Sequence, residues 1–303
     1  MKFAVPLLLA LGLAACATPR LEKYDSRQAV SIDAPRSAAE RAEAVDPALF
    51  RIADADTTIY LLGSFEWLPE EYDWRTPAIN AAIGASDTLV VAPAPSSDAM
   101  VALGLDRDLP PLAQRIDPAL RGTLAMIIAR SGTAPGAYDL MENWAAALTL
   151  SGGRARALGL TDAAGVLPDL RLAFAGKAVI TLEPADAALA RYDTLPLDAQ
   201  RQWLETALAS PETIKGEFSD QLEAWSRGDL ERIEASFNGS LAVGSPLRAA
   251  LRTAPNRAWA GWIQQRLGQP GTVFVAVGAG HLAGPDSLVA MLEAQRLPVE
   301  RLR

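Results

Sequence analysis

Two apolar segments near opposite ends of the chain place the strongest constraint on its fold. Residues 57–63 read TTIYLLG and residues 272–278 read TVFVAVG. Each pattern predicts a strand that ends in glycine, followed by two residues and then a side chain that can titrate or bind, Glu66 or His281. Open α/β sheets bind ligands at the carboxyl ends of their strands. We therefore expect one sheet, closed by pairing of the two chain ends.

The remaining periodicity indicates more strands near both ends and helices between them. Apolar runs predict strands at 48–53, 88–91, 178–182 and 298–302, and helical spacing predicts helices at 76–86, 197–208, 219–226, 256–267 and 285–295. Residues 98–175 favour short helices separated by Pro and Gly. The predicted class is α/β, with a mixed central sheet formed from both ends of the chain, flanking helices and a largely helical middle insertion.

The N-terminal residues have the pattern of a bacterial lipoprotein signal. Lys2 precedes an apolar run too short to span a bilayer, and LAAC at 13–16 resembles a lipobox ending at Cys16. The alternative is an ordinary signal cut after Ala15. We expect a signal peptide at 1–15, a lipidated Cys16 with a tether to residue 46, and a folded domain at 47–303. Because Ala17 is not Asp, the expected location is the outer membrane, facing the periplasm.

Composition excludes several classes of site. The formal net charge of −8 and the lack of a basic run argue against nucleic acid as a partner. The single cysteine allows no disulfide within the chain, and the single histidine, His281, allows no site built on two imidazoles. The sequence also lacks a Gly-x-Ser-x-Gly elbow, a phosphate-binding glycine loop and a dinucleotide fingerprint.

Several motifs resemble the TraB/GumN family, which includes the TIKI metallopeptidases. The matching stretches occur in the family's order over nearly all of 47–303: LFRI at 49–52, TIYLLG at 58–63, WRTPAI at 74–79, SDTLV at 86–90, LE at 182–183, YDTLP at 192–196, WSRGD at 225–229, NR at 256–257 and VAVGAGHLAG at 275–284. The resemblance implies a metal-dependent, peptidase-like site of two Gly-x-x-His motifs, a glutamate after a strand and an Arg-Asn pair.

At these site positions the chain departs from the family pattern. The first motif ends in Glu66 instead of histidine, Ala92 stands where the glutamate is expected, and Pro255 replaces the arginine before Asn256. The second motif keeps His281. The substitutions affect polar site positions, while the motifs of the scaffold persist.

The altered motifs leave a weak set of donors for a divalent metal. Hydrolytic sites usually have three protein ligands. Glu66 and His281 supply two, and Glu183 is the family-matched carboxylate that could supply the third. A carboxylate-rich site favours Mn or Mg over Zn. Alternatively, His281 is structural, Glu66 is solvated or pairs with His281, and Asn256 caps a helix instead of binding substrate.

Three functions are compatible with these residues. The first is a non-catalytic family member, a pseudoenzyme that binds a peptide or an envelope protein in the old cleft. The second is a metal-dependent hydrolase that uses Glu66 and His281, with Asn256 as a further candidate catalytic residue. The third is a structural envelope lipoprotein whose only partner is the membrane, through the lipid at Cys16.

Overall fold

Six apolar segments from both ends of the chain pair into one mixed sheet. The computed structural model describes residues 45–94, 97–131, 134, 136–158, 160 and 162–303. The predicted signal peptide, Cys16 and most of the predicted tether lie outside these residues. The strands are β1 Leu49–Ala53, β2 Thr57–Ser64, β3 Thr88–Val91, β4 Ala178–Thr181, β5 Gly271–Gly278 and β6 Val299–Leu302. Their order in the sheet is β4-β3-β5-β2-β1-β6.

The two segments that constrain the fold lie side by side at its centre. Strands β2 and β5 are parallel, with Thr57 opposite Gly271 and Ser64 opposite Gly278. Strand β3 pairs in parallel with both β5 and β4, whereas β1 pairs in antiparallel fashion with both β2 and β6. The predicted class, a mixed sheet formed from both ends of the chain with helices between, is confirmed.

Helices occupy most of the chain between β3 and β5. The described α-helices are α1 Pro77–Ala85, α2 Ser97–Gly104, α3 Arg121–Ser131, α4 Asn143–Ala157, α5 Val166–Ala173, α6 Ala185–Asp193, α7 Leu197–Thr206, α8 Pro211–Ser226, α9 Leu230–Ile233, α10 Pro246–Arg248, α11 Ala254–Leu267 and α12 Leu288–Ala294. A π-helical turn, Glu234–Asn238, continues α9, and a second, Ala249–Thr253, joins α10 to α11. Such turns are rare in proteins, and many of those that do occur lie at functional sites.

The helix ends explain two sequence signals. Thr76 caps α1 by accepting a hydrogen bond from the Ile79 amide, and Pro77 occupies the first turn, where its missing N–H is not needed. Asn256 was a candidate cap, but the structure places it inside α11, whose N-cap is Thr253. That alternative is wrong because the preceding π turn already carries helical backbone into α11.

The sheet and the C-terminal helices share one apolar core. Ile59 and Leu61 of β2 and Val273 and Val275 of β5 are buried together with Trp259 of α11. Trp262 is partly buried against the same cluster. Both tryptophans therefore pack in this core. Within the described ranges, no helix is long and apolar enough to cross a membrane.

The turn after α8 fastens the C-terminal strand to the start of the domain. Gly228 has a φ of 56°, and its carbonyl accepts a hydrogen bond of 2.6 Å from Arg301 of β6. A Cβ atom at this position would lie 2.4 Å from the Asp46 carbonyl oxygen. The left-handed backbone and the close approach both require glycine.

We therefore expect Gly228→Ala to lower the free energy of unfolding by about 2–3 kcal/mol, because the substitution adds both backbone strain and a backbone clash. Urea unfolding followed by circular dichroism measures this change. Gly216→Ala is the matched control: Gly216 lies within α8 with open space around it, so alanine should stabilise the protein by up to about 1 kcal/mol. Equal stability of the Gly228→Ala variant and the unmodified protein would contradict this account.

Candidate functional site

The carboxyl ends of four parallel strands form the edge of the sheet at which the predicted site residues lie. Along the order β4, β3, β5, β2, the strands are followed by Glu183, Ala92, His281 and Glu66. Glu66 and His281 thus follow neighbouring strands, whereas the end of β3 with its Ala92 lies between the strands that precede Glu183 and His281. The site residues lie at one edge because the four strands that precede them are neighbours and run in parallel.

His281 is held by the amide of Asn256. The distance between His281 Nδ1 and Asn256 Oδ1 is 2.7 Å. Asn256 Nδ2 donates to the Asp286 carbonyl at 2.9 Å and to the His281 carbonyl at 3.4 Å. Because the amide nitrogen faces two acceptors, the amide oxygen faces the ring and accepts from Nδ1–H. We therefore assign His281 as the Nδ1–H tautomer, whose Nε2 carries the lone pair.

The surroundings of His281 disfavour its protonated form. Its ring packs on Trp259, with 4.6 Å between the ring centroids. Burial is the main cause that lowers the pKa of His281 well below its usual range, and the positive charges of Arg252 and Arg191 add to it, while Asp286 opposes it. At neutral pH the imidazole is thus a neutral hydrogen-bond acceptor through Nε2.

Glu183 reaches this region, but an arginine holds it. Arg191 of α6 donates two hydrogen bonds, of 2.7 and 2.6 Å, to the two oxygens of the Glu183 carboxylate. Trp259 Nε1 donates a third, at 3.2 Å. The side chain of Glu183 is only 9% exposed. Trp259 therefore contacts both Glu183 and His281.

Glu66 has different surroundings from His281. The preceding Phe65 turns inward, where its ring stacks on Phe218 and Trp225 with centroid distances of 5.7 and 5.5 Å. Glu66 itself is exposed. The structure thus places Glu66 on the surface of the sheet edge, whereas the ring of His281 packs within it.

The loop that carries His281 is fixed from beneath by the π-helical turn that follows α9. Asn238 Nδ2 donates to the Gly280 carbonyl at 2.8 Å, and Asn238 Oδ1 accepts from Arg252 Nε at 2.7 Å. A Cβ atom at Gly280 would lie 3.0 Å from Asn238 Oδ1, so the contact needs glycine. Sequence reasoning missed Asn238 and Arg252, because neither belongs to a recognised motif.

A buried ion-pair cluster fixes the far end of the same loop. Arg248, which is 1% exposed, donates to Asp286 through Nε at 3.1 Å and to Glu234 through Nη2 at 2.8 Å. Thr253 donates to the second oxygen of Asp286. The hydrogen bond from Arg248 is the main cause that lowers the pKa of Asp286. The loop is therefore anchored at Gly280 and at Asp286, on both sides of His281.

The donor set does not fit a divalent metal. Ala92 contributes a methyl group at the central position, and Glu183 already accepts three hydrogen bonds. In the described part of the chain, no group of three or more His, Cys, Asp or Glu side chains is arranged to hold a metal ion. We therefore derive no chemical step through a metal.

These features define an α/β protein whose parallel strands present a histidine–asparagine pair and an arginine-bound glutamate at one sheet edge. The chain belongs to the TraB/PrgY/gumN family, whose model matches residues 48–301. This match confirms the family indicated by the sequence motifs. No curated protein and no solved structure matches the chain.

The lowered pKa of His281 gives a pH dependence with a definite sign. Below about pH 6.5, His281 is protonated in the unfolded chain but stays neutral in the folded protein. The free energy of unfolding therefore falls as the pH falls, by up to about 1.4 kcal/mol per pH unit. Above that pH, His281 is neutral in both states and this loss of stability does not occur. Urea unfolding in the presence of EDTA, at about pH 7.5 and about pH 5.5, measures the change.

The matched control for this measurement is His281→Gln, which keeps a polar side chain but has no proton to take up. Its stability should fall less between the two pH values. Since His281 is the only histidine, its ring resonance in an NMR titration reports the same pKa directly. An equal loss of stability in both proteins, or a midpoint at or above about 6.5, would contradict the assignment.

Proposed function

We propose that this protein is an envelope lipoprotein that binds a peptide or an envelope protein at this sheet edge without metal-dependent catalysis. The observation that carries the proposal is the state of Glu183, whose two carboxylate oxygens are both bound by Arg191. An arginine cation thus balances the carboxylate that a metal-binding site would need.

The energetics of that ion pair oppose metal entry. A metal ion that coordinates Glu183 must displace Arg191 and leave a mostly buried cation without its partner, which is costly. Arg252 adds a second positive charge near the His281 loop, since it binds Asn238, which in turn binds the Gly280 carbonyl. Both arginines therefore disfavour a divalent cation near His281.

The polar groups at the edge suit a hydrogen-bonding ligand. His281 Nε2 is an acceptor, and Asn256 holds the imidazole in a fixed orientation. Gly278, at the exposed end of β5, leaves room beside the ring, because a Cβ atom there would lie 3.6 Å from His281 Cδ2. A peptide offers N–H donors that match such an acceptor.

One observation supports a second candidate, a hydrolase of altered mechanism. The neutral imidazole has its lone pair on Nε2, and Glu66 follows the neighbouring strand. A base with a low pKa and a carboxylate on the adjacent strand could take part in acid–base chemistry. This candidate requires activity that depends on both side chains.

Metal titration and a peptidase assay together distinguish the two candidates. We expect the full-length protein in phospholipid nanodiscs to show no stoichiometric binding of Mn²⁺, Co²⁺ or Zn²⁺ by calorimetry, since Arg191 holds Glu183. A Glu66→Ala, His281→Ala double variant should give the same weak heats. Glu70→Ala, at another exposed carboxylate, controls for surface binding.

Two results would overturn the proposal of a non-catalytic protein. One is tight, stoichiometric metal binding that the double variant loses and the Glu70→Ala variant keeps. The other is peptidase activity of the unmodified protein that disappears in His281→Ala while the fold, measured by circular dichroism, is retained.

The proposed lipid anchor has its own test. Because Cys16 is the only thiol in the chain, Cys16→Ala should abolish incorporation of labelled palmitate in a bacterial host and release the protein from the membrane fraction. Cys16→Ala keeps the apolar run of the signal, so export of the domain should continue. Undiminished labelling of the variant would show that the lipid is attached elsewhere.

A further inference from the structure

A cavity of about 420 Å³ lies within the helical section. Helices α4, α7, α8 and α10 and the two π-helical turns line it. Its walls include the apolar side chains of Trp203, Phe237, Leu247 and Leu251. This volume is within the range of small-molecule sites. The walls expose both polar and apolar surface, which suits an amphiphilic ligand.

Arg252 is a cation in the lining of the cavity. Its Nε donates to Asn238 Oδ1 at 2.7 Å and its Nη1 donates to the Leu251 carbonyl at 2.9 Å. Neither partner is charged, and Arg252 has no ion-pair partner among the described residues. Arg248, by contrast, is paired with both Asp286 and Glu234.

A mostly buried cation without a counter-ion is costly to maintain. Burial is the main cause that lowers the pKa of Arg252 to about 10, so the guanidinium is still charged at neutral pH. Leu251 and Arg252, which both line the cavity, belong to the π-helical turn Ala249–Thr253. The guanidinium is therefore a fixed cation that borders a cavity with both polar and apolar walls.

The charges at the rim limit the ligand further. Glu217 and Asp220 of α8 also line the cavity, and both are exposed. Their negative charges disfavour a ligand of high negative charge, such as a phosphate dianion. A single carboxylate can reach the guanidinium with less repulsion from the rim.

We propose that this cavity binds a small amphiphilic monocarboxylate, with the carboxylate on Arg252 and an apolar body against Trp203, Phe237 and Leu247. A planar guanidinium binds a carboxylate through charge-assisted hydrogen bonds. This site goes beyond the role proposed for the sheet edge and does not depend on it. The two sites are close, since Arg252 also holds Asn238 beneath the His281 loop.

Calorimetry with 3-phenylpropanoate tests the proposal on the full-length protein in nanodiscs, with empty nanodiscs as the blank. We expect saturable binding at one site, and at least about tenfold weaker binding of the uncharged 3-phenylpropanamide and of inorganic phosphate. Binding should be accompanied by a shift of the His281 ring resonance.

Three variants locate the site. Arg252→Gln keeps a hydrogen-bond donor for Asn238 and should weaken binding at least about tenfold. Arg257→Gln removes an exposed arginine of α11 and should leave the affinity unchanged. Ser240→Trp adds bulk at an exposed residue that lines the cavity and should prevent binding without removing Arg252. Circular dichroism confirms that each variant is folded.

The proposal is overturned if 3-phenylpropanoate gives no saturable heat, if the amide or phosphate binds as tightly, or if Arg252→Gln or Ser240→Trp keeps full affinity. Failure of this test leaves the role proposed for the sheet edge unaffected, because that role is tested by metal titration and activity at Glu66 and His281.

Discussion

The parallel pairing of β2 with β5 brings the two ends of the chain together, and the rest of the structure depends on it. The pairing extends over eight residues and ends with Ser64 opposite Gly278. This register places the loop that carries His281 beside the end of β2, and therefore beside the residues that lead to Glu66. Successive residues of both strands are buried, so apolar packing on both faces of the sheet stabilises this pairing.

Beneath the edge, positive charge performs the balancing role that a metal would otherwise have. Arg191 pairs with Glu183, and Arg248 pairs with Asp286 and Glu234. Both arrangements satisfy buried carboxylates with planar donors, which match carboxylate geometry better than a point charge does. Arg252 differs from these arginines, because its partners are an amide and a backbone carbonyl. Arg191 and Arg248 thus bind carboxylates directly, whereas Arg252 faces the cavity with neutral hydrogen-bond partners.

Much of the fold was predictable from the sequence, since apolar strands and capped helices have local signals. The apolar runs predicted all six strands, and Thr76-Pro77 predicted the start of α1. The site was predictable only in part. His281 and Asn256 belong to motifs, but the contact of Arg191 with Glu183 depends on how α6 packs beside the end of β4. No local pattern identifies such a contact, and the same holds for Arg252 and Asn238, which π-helical turns position.

The central place of β2 and β5 also has a consequence for the order of events as the chain emerges from a ribosome or a membrane channel. Strand β2 appears early but lacks its main neighbour until nearly the whole chain has followed. The early hairpin of β1 and β2 is too small to be stable alone. Contacts so distant in sequence form slowly, and the chain therefore stays open until its last segment is available. The sheet of a protein built in this way is complete only after nearly the whole chain has been synthesised.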